Sequence, residues 1–455
     1  MQLVKPILRL ALPSIATFSS MTFTGLLVLM IIGKLGAASI AVVGITNILI
    51  YNLWALFSGV QGTVNYLVAQ NIGSRTIKLG NQRMQIALLI TVVQGVLLLA
   101  GSFVIPALLL QAMGTNEAIL SLGAAYFQIR MIALVFGLFN GVFFSYMRAT
   151  GDTKTPMTLS VINGVLVVAF TFVLSYGTFG FPKLGLQGSA WAFIIAELAT
   201  MLLCLLVYFR YMSGMYLTRR WVPVERKEVR LVLFESLKLG VTEFSNSLGM
   251  FVFTVCIMRL GTAAIAANEI ALNILSFGFM PSNGFGAAAT IGVGQEIGKG
   301  KPADARRFGI VTVYLGLAFM ALVSVCLLLF ALPVAKLYTN ESEVYTLAIS
   351  LIHLAACIQL FTGANIIFGG GLRGIGDTTF LSRAAFLTNW LFFIPCTVVL
   401  TRVFDLGQVG AWAALCSVIV LTALLNTWRF LTLDWSKARV KTDGAAAVPV
   451  AAGGH

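Results

Sequence analysis

The chain has 455 residues, of which 59% are apolar and only 10% charged, and it carries a formal net charge of +14 at pH 7. This composition, with a mean hydropathy of +0.94, excludes a water-soluble domain and points to a polytopic, all-α membrane protein. The six cysteines stand singly inside apolar runs without CxxC or Cys/His spacing, so neither a disulfide framework nor a metal centre follows.

Breaks at polar, Gly/Pro and charged clusters predict about twelve transmembrane helices, at 8–33, 39–72, 81–112, 118–149, 155–180, 185–211, 229–258, 264–297, 306–337, 345–372, 380–402 and 408–433. Each run of roughly 20 or more residues, at about 1.5 Å rise per residue, crosses about 30 Å of hydrocarbon. The first run is too long for a signal-peptide core and has no small-residue cleavage site after it, so it reads as the first span. The one sizeable hydrophilic connection, YMSGMYLTRRWVPVERKEVR, falls at the midpoint. The expected division is therefore an N-terminal six-helix lobe at 1–211, a cytoplasmic linker at 212–228, a C-terminal six-helix lobe at 229–435 and a disordered cytoplasmic tail at 436–455, low in complexity and ending GAAAVPVAAGGH. With the N-terminus in the cytoplasm, roughly 24 of the basic residues fall in inside segments, as the positive-inside rule expects. The positive charge is then a topology signal with the bilayer as partner. Spread over many loops, it does not form the single basic face that a nucleic acid would need.

The chain is written twice. RATGDT at 148–153 returns as RGIGDT at 373–378, and the offset of 225 also superimposes KLGAASIAVVG at 34 on RLGTAAIAANE at 259 and AQNIG at 69 on GQEIG at 294. GSAWA at 188 matches GAWAA at 410 after a small gap. Six spans per copy is an even number, so both copies enter from the same side as a parallel repeat about an axis along the membrane normal. Two such lobes enclose a cavity near mid-membrane that rocking exposes to either side.

These motifs carry a resemblance. The G-x-L-G after the first span (Gly33, Leu35, Gly36) and its partner after the seventh (Leu260 and Gly261, with Met258 in place of the first Gly), the AQNIG/GQEIG ends and the paired R-x-x-G-D-T loops resemble the multidrug and toxic compound extrusion (MATE) family of bacterial efflux pumps over about residues 5–435. The resemblance implies a secondary antiporter of the bacterial cytoplasmic membrane, without a cofactor; a monomer is expected because two fused lobes need no partner to form the cavity. It would export amphipathic, often cationic small molecules against inward H⁺ or Na⁺. Many members carry an Asp in the first span at a slot held here by Val28. The acid that many carry in the seventh span corresponds to Asn246, with Glu243 one helical turn earlier. Glu269, in NEIAL, is similar to an acid near the start of span eight in some eukaryotic members.

Intramembrane charge is costly and is rarely kept without a use. The acids left deep in apolar sequence are Glu197, Glu243 and Glu269, and the repeat partners of the last two are Phe18 and Gly44. Asn246 follows Glu243 by three residues and Asn273 follows Glu269 by four, so each pair shares a helix face. The four are read as a cation-coupling group: two carboxylates and two amide oxygens could hold Na⁺, or one carboxylate could carry a proton. The competing reading is that the two acids merely bridge helices. Glu197 and the asparagines Asn47, Asn52, Asn65, Asn163, Asn246, Asn273 and Asn365 mark the faces on which some of the Phe and Met side chains would line a substrate cavity. Asp152 and Asp377 read as helix caps after left-handed glycines, and Arg148 and Arg373 as cations in a last helical turn, with a cytoplasmic gate as the alternative. His353 reads as a water-facing side chain that could instead take protons, and Arg130 as a partner for a helix end or carboxylate rather than for substrate. With no filter sequence and no nucleophile/base spacing, a channel or an enzyme fits poorly. A flippase for lipid-linked precursors is the remaining alternative, but it would need several deep basic residues, and here these are nearly limited to Arg130.

Overall fold

The computed structural model describes residues 3–112, 117–219, 222–258, 260, 262–338 and 342–441. Gly261 of the second G-x-L-G and the tail from residue 442 lie outside the described residues. Sixteen α-helices run in order: α1 Val4–Gly33, α2 Ala37–Phe57, α3 Gly59–Gly73, α4 Ile77–Gly101, α5 Ile105–Ala112, α6 Glu117–Ala149, α7 Lys154–Tyr176, α8 Leu186–Leu206, α9 Ser213–Tyr216, α10 Arg226–Met258, α11 Thr262–Gly298, α12 Pro302–Tyr338, α13 Ser342–Ile375, α14 Thr378–Phe386, α15 Ile394–Arg402 and α16 Gly407–Thr432. Among the described residues no strand occurs.

Several expected spans are interrupted, the sixth by a π-turn over Val207–Tyr211 near its end. The second divides at Ser58, whose hydroxyl donates back to the Ala55 carbonyl at 2.9 Å, a bond that competes with the helical ladder and favours a bend. The third stops at Gly101 and resumes as the short α5. The eleventh widens into a π-turn over Leu387–Phe393 between α14 and α15, directly before Pro395, which has no N–H to give and would crowd the carbonyl four residues back in a regular helix.

Among the described residues eleven spans are long and apolar enough to cross a membrane, with α2 forming one arm without α3, and α14 to α15 together another. The remaining arm, α11, has 37 residues and packs at the centre against α1, α3, α12 and α13. On α4, Leu89, Val92, Val93, Val96 and Leu97 are all exposed, a stripe that only lipid can cover. Leu3 and Ile7 share a core cluster with Ile297, Ala305, Ile375 and Trp435, so both described ends of the chain reach the same face, called here the termini face.

That face also carries the buried ion pairs. Arg83, 1% exposed, donates to Glu228 at 2.7 Å, to the Asn71 side chain at 3.1 Å and to the Lys441 carbonyl at 2.9 Å. Glu235 accepts from Tyr66 at 2.7 Å and from Thr378, and pairs with Lys238 at 2.8 Å and Lys441 at 3.5 Å. Each charge thus has several hydrogen-bond partners, the condition under which a buried pair offsets its desolvation.

Candidate functional site

The two copies of the repeated hexamer fold alike and are used differently. Gly151 and Gly376 take left-handed φ values of +92° and +91°, and the following Asp N–H reaches back to Met147 O at 3.1 Å and to Leu372 O at 3.0 Å. Both are glycine C-terminal caps of the Schellman kind. Beyond the backbone they diverge. Asp152 accepts from the Thr155 N–H at 3.0 Å and the Thr155 hydroxyl at 2.6 Å, capping α7. Asp377 makes no such cap bond to α14 and instead accepts from Arg429 Nε of α16 at 2.7 Å.

Their arginines diverge in the same way. The Arg148 guanidinium lies 5.8 Å from the centre of the Phe18 ring. Arg373, its repeat partner, donates to Glu243 Oε1 at 3.1 Å, and Glu243 is the repeat partner of Phe18. One lobe has a cation over an aromatic ring where the other has an ion pair.

Between these loops the lobes clasp each other with near two-fold symmetry. Gln70, at the end of α3, donates to the Gly374 carbonyl at 2.9 Å and to Ile375 at 3.2 Å. Gln295, at the end of α11, donates to the Ala149 carbonyl at 2.9 Å. Gln70 and Gln295 are repeat partners, and so are Ala149 and Gly374. Gly73 and Gly298 meet on the same axis: a Cβ on Gly73 would lie 2.0 Å from Gln295 O, and one on Gly298 would lie 2.1 Å from Gln70 O. Only glycine permits this approach. The tail spans the clasp, with the Lys441 N–H donating to Gln70 Oε1 at 2.9 Å and its ammonium to Gly376 O at 2.9 Å. Further in, Ser247 of α10 donates to Asn52 of α2 at 2.9 Å. Beyond that bond Asn47, Tyr51 and Asn246 are exposed.

The four residues read as one coupling group are distributed. Glu243 is tied to Arg373. Asn246 accepts from Asn389 at 2.9 Å. Glu269 is exposed, with no side-chain hydrogen bond or ion pair among the described residues, and Asn273 donates to its backbone carbonyl at 2.9 Å. From the turn joining α10 to α11, Glu243 and Glu269 differ in depth by roughly 12 Å of helix rise. No group of three or more His, Cys, Asp or Glu that could hold a metal occurs among the described residues. His353 is exposed on α13.

The N-terminal lobe holds the other polar interior. Asn140 donates to Glu197 Oε2 at 2.7 Å and to the Glu197 carbonyl at 2.9 Å. Arg130 lies 3.4 Å from the centre of the Phe193 ring and donates to Asn47 at 3.4 Å, so it stacks on an aromatic face instead of pairing directly with a carboxylate. Asn163 donates to Thr200 at 3.0 Å, and the Asn65 side-chain oxygen is buried without a partner. Val28 sits in an apolar cluster with Ile32, Val42, Val43 and Val167. In the C-terminal lobe Asn426 donates to Asn365 Oδ1 at 2.7 Å and to its carbonyl at 3.3 Å. A surface hollow of about 620 Å³ beside Pro302, Arg306, Ile310 and Trp435 lies on the outside of α12 and contains none of these acids.

Sequence reading passed over Gln70, Gln295, Asn389, Arg429 and Lys441. The first two stood inside AQNIG and GQEIG, and their return at the repeat offset was the available signal. The other three are marked by nothing local.

A family model described as MatE matches residues 13–173 and 239–399, two blocks that coincide with the repeat. The chain is 31% identical over 437 residues to a protein of Burkholderia mallei named "Probable multidrug resistance protein NorM", covering 93% of this chain and 91% of that one. It is 23% identical to a Thermotoga maritima protein of the same name, covering 96% and 94%. Among solved structures, one titled "Outward-facing conformation of a multidrug resistance MATE family transporter of the MOP superfamily" superimposes with a TM-score of 0.85 at 21% identity, covering 94% of this chain and 96% of that one.

Proposed function

The chain belongs to the MatE family of multidrug efflux transporters, and from that premise we propose that it is a secondary antiporter of the bacterial cytoplasmic membrane. Both termini lie in the cytoplasm, and amphipathic, often cationic compounds leave in exchange for H⁺ or Na⁺ as the two lobes alternate access. It acts as a monomer, because the two fused lobes already enclose the cleft. The observation that carries this reading is the pair of glutamines that cross between lobes at repeat-related positions. Such bonds hold one face closed and part together when the lobes rock, with the cleft opposite as the open end.

In this reading the residues named for cation coupling work at two depths. Glu243 holds Arg373, and Arg373 immediately precedes Gly374, whose carbonyl takes Gln70. Neutralising Glu243 frees the guanidinium beside the clasp, which links ion binding to opening. Glu269 and Asn273 meet ions entering the open cleft. A coupling charge that crosses the full field gains about 2.3 kcal/mol per 100 mV, enough for one ion to drive a useful gradient. The lining asparagines Asn47, Asn65, Asn163 and Asn365 orient the substrate's polar groups within an otherwise apolar wall.

The test is efflux of ethidium from everted vesicles under a pH gradient and a Na⁺ gradient imposed separately. One gradient is expected to drive it. Failure of both, with inserted and monodisperse protein, would reject antiport.

A further inference from the structure

We infer that Glu197 is a proton-carrying carboxylate of the N-terminal lobe, titrating in a proton-only pocket formed with Asn140 and Arg130. The inference rests on the antiporter reading and names one of its coupling residues.

Several acids of the interior and of the termini face are held by cations. Glu228, Glu235, Glu243, Glu296 and Asp377 each have a basic side chain within 4 Å. Glu197 makes no ion pair of that kind among the described residues. Its carboxylate is held instead by the neutral amide of Asn140. A carboxylate locked to a cation stays ionised, whereas one held by an amide can exist in either form at modest cost.

In the C-terminal lobe the asparagine at the repeat position of Asn140 is bridged without a carboxylate. Asn365, the repeat partner of Asn140, is joined to the last helix of its own lobe by an amide that reaches a side-chain oxygen and the backbone carbonyl of one residue. Asn140 reaches the same two kinds of oxygen on Glu197. The direction is reversed, since Asn365 accepts from Asn426 whereas Asn140 donates to a carboxylate.

The pocket suits H⁺ and not Na⁺. Two acceptors face the Asn140 amide, which forces its nitrogen toward Glu197 and leaves Oδ1 pointing away. That oxygen is without a partner in a residue only 3% exposed. On protonation of Glu197 the amide can turn and offer this oxygen to the new O–H, so one side chain serves both states. A metal cation would meet an N–H donor at the carboxylate and the Arg130 guanidinium within electrostatic reach, in place of the several oxygens it requires. The charged and titratable groups around Glu197 are Arg130 and Tyr126 of α6 and Cys204 of α8; α7 brings Asn163. Glu197 and Arg130 are half-buried, and Asn47, which Arg130 contacts, is exposed, giving water a path to the pocket.

The experiment measures proton release into weakly buffered detergent solution when ethidium is added, alongside ethidium binding and gradient-driven efflux in proteoliposomes. Wild type is expected to release protons and to be driven by the pH gradient. Glu197→Gln is expected to release at least about tenfold fewer protons per ethidium bound, and Glu197→Asp to restore release with a displaced pH profile. Asp304→Asn, at the exposed start of α12, serves as the contrast and keeps its proton release. Release from Glu197→Gln equal to wild type would overturn the inference while leaving antiport standing, and so would wild-type efflux driven by Na⁺ alone. Absence of driven efflux in wild type would instead sink the antiporter reading. If Glu197→Gln aggregates on size exclusion, the pH profile of Glu197→Asp decides, and one superimposable on wild type counts against the proposal.

Discussion

Substituting alanine for Gly298 is expected to reduce efflux by more than about tenfold, because the added methyl overpacks the interface of the closed state by more than about 1 kcal/mol. The new Cβ would lie 2.1 Å from the Gln70 carbonyl oxygen and 2.8 Å from Gly73 Cα. These are backbone atoms on the facing lobe and cannot swing aside as a flexible side chain would. The strain falls only on the state in which the lobes clasp at the termini face, so the protein should insert and remain monodisperse while its population shifts toward opening there. Gly73→Ala should act in the same way, since its Cβ meets Gln295 O at 2.0 Å. A control with a different outcome is Gly214→Ala, where no atom lies within 4 Å of the added carbon. Wild-type efflux from both Gly298→Ala and Gly73→Ala would show that the close approach plays no part in transport.

The second large effect is expected at the Glu243–Arg373 pair. Glu243→Gln should lower gradient-driven efflux by about tenfold, the size of effect that follows when the favoured state of a two-state element loses about 1.4 kcal/mol of bias. Both side chains are about a third exposed, so the effect on overall stability should be small. The readout is therefore transport and not unfolding. Substrate exchange without a gradient should persist, because the substitution removes the switch and leaves the cleft intact. Arg373→Lys keeps the charge but loses the planar fork and should retain intermediate activity. Efflux unchanged in Glu243→Gln would detach the pair from the mechanism and leave Asn246 and Asn389 as a purely structural contact.

How much of this could be read in the sequence depends on how local the cause is. Spans were legible because crossing hydrocarbon imposes a length and a composition on each helix, and the repeat because one register places three motifs in order. The breaks at Ser58 and over Leu387–Phe393 were not, since a back-bonded serine or a proline after an aromatic run bends one helix and leaves another straight. The glycine caps at Gly151 and Gly376 were legible from the hexamer alone. The partners of its charged side chains were not. Identical GDT sequences put Asp152 on its own helix and Asp377 on Arg429, because only one copy has a basic side chain arriving from a distant helix.

The coupling group shows the same limit. Spacing placed Glu243 with Asn246 and Glu269 with Asn273, but spacing within a helix carries no information about depth across a turn. The antiparallel course of α10 and α11 separates the pairs. Glu197 drew less weight from sequence because its surroundings, Asn140 and Arg130 on α6, come from a helix more than fifty residues away. In the fold, this acid is held by a neutral amide and has no basic side chain within ion-pair distance among the described residues.

The central claim is that the lobes exchange closure of the termini face for closure of the opposite face. Spin labels at Lys78 and Lys301 report the termini face, and labels at Lys34 and Leu406 report the other, in a chain whose six native cysteines have been replaced. Pulsed dipolar distances in nanodiscs, taken with and without ethidium across a pH and Na⁺ series, test the claim most directly. The account predicts that the first distance lengthens under the conditions in which the second shortens. Two distances that stay fixed, or that rise and fall together, in protein that still transports ethidium would contradict it.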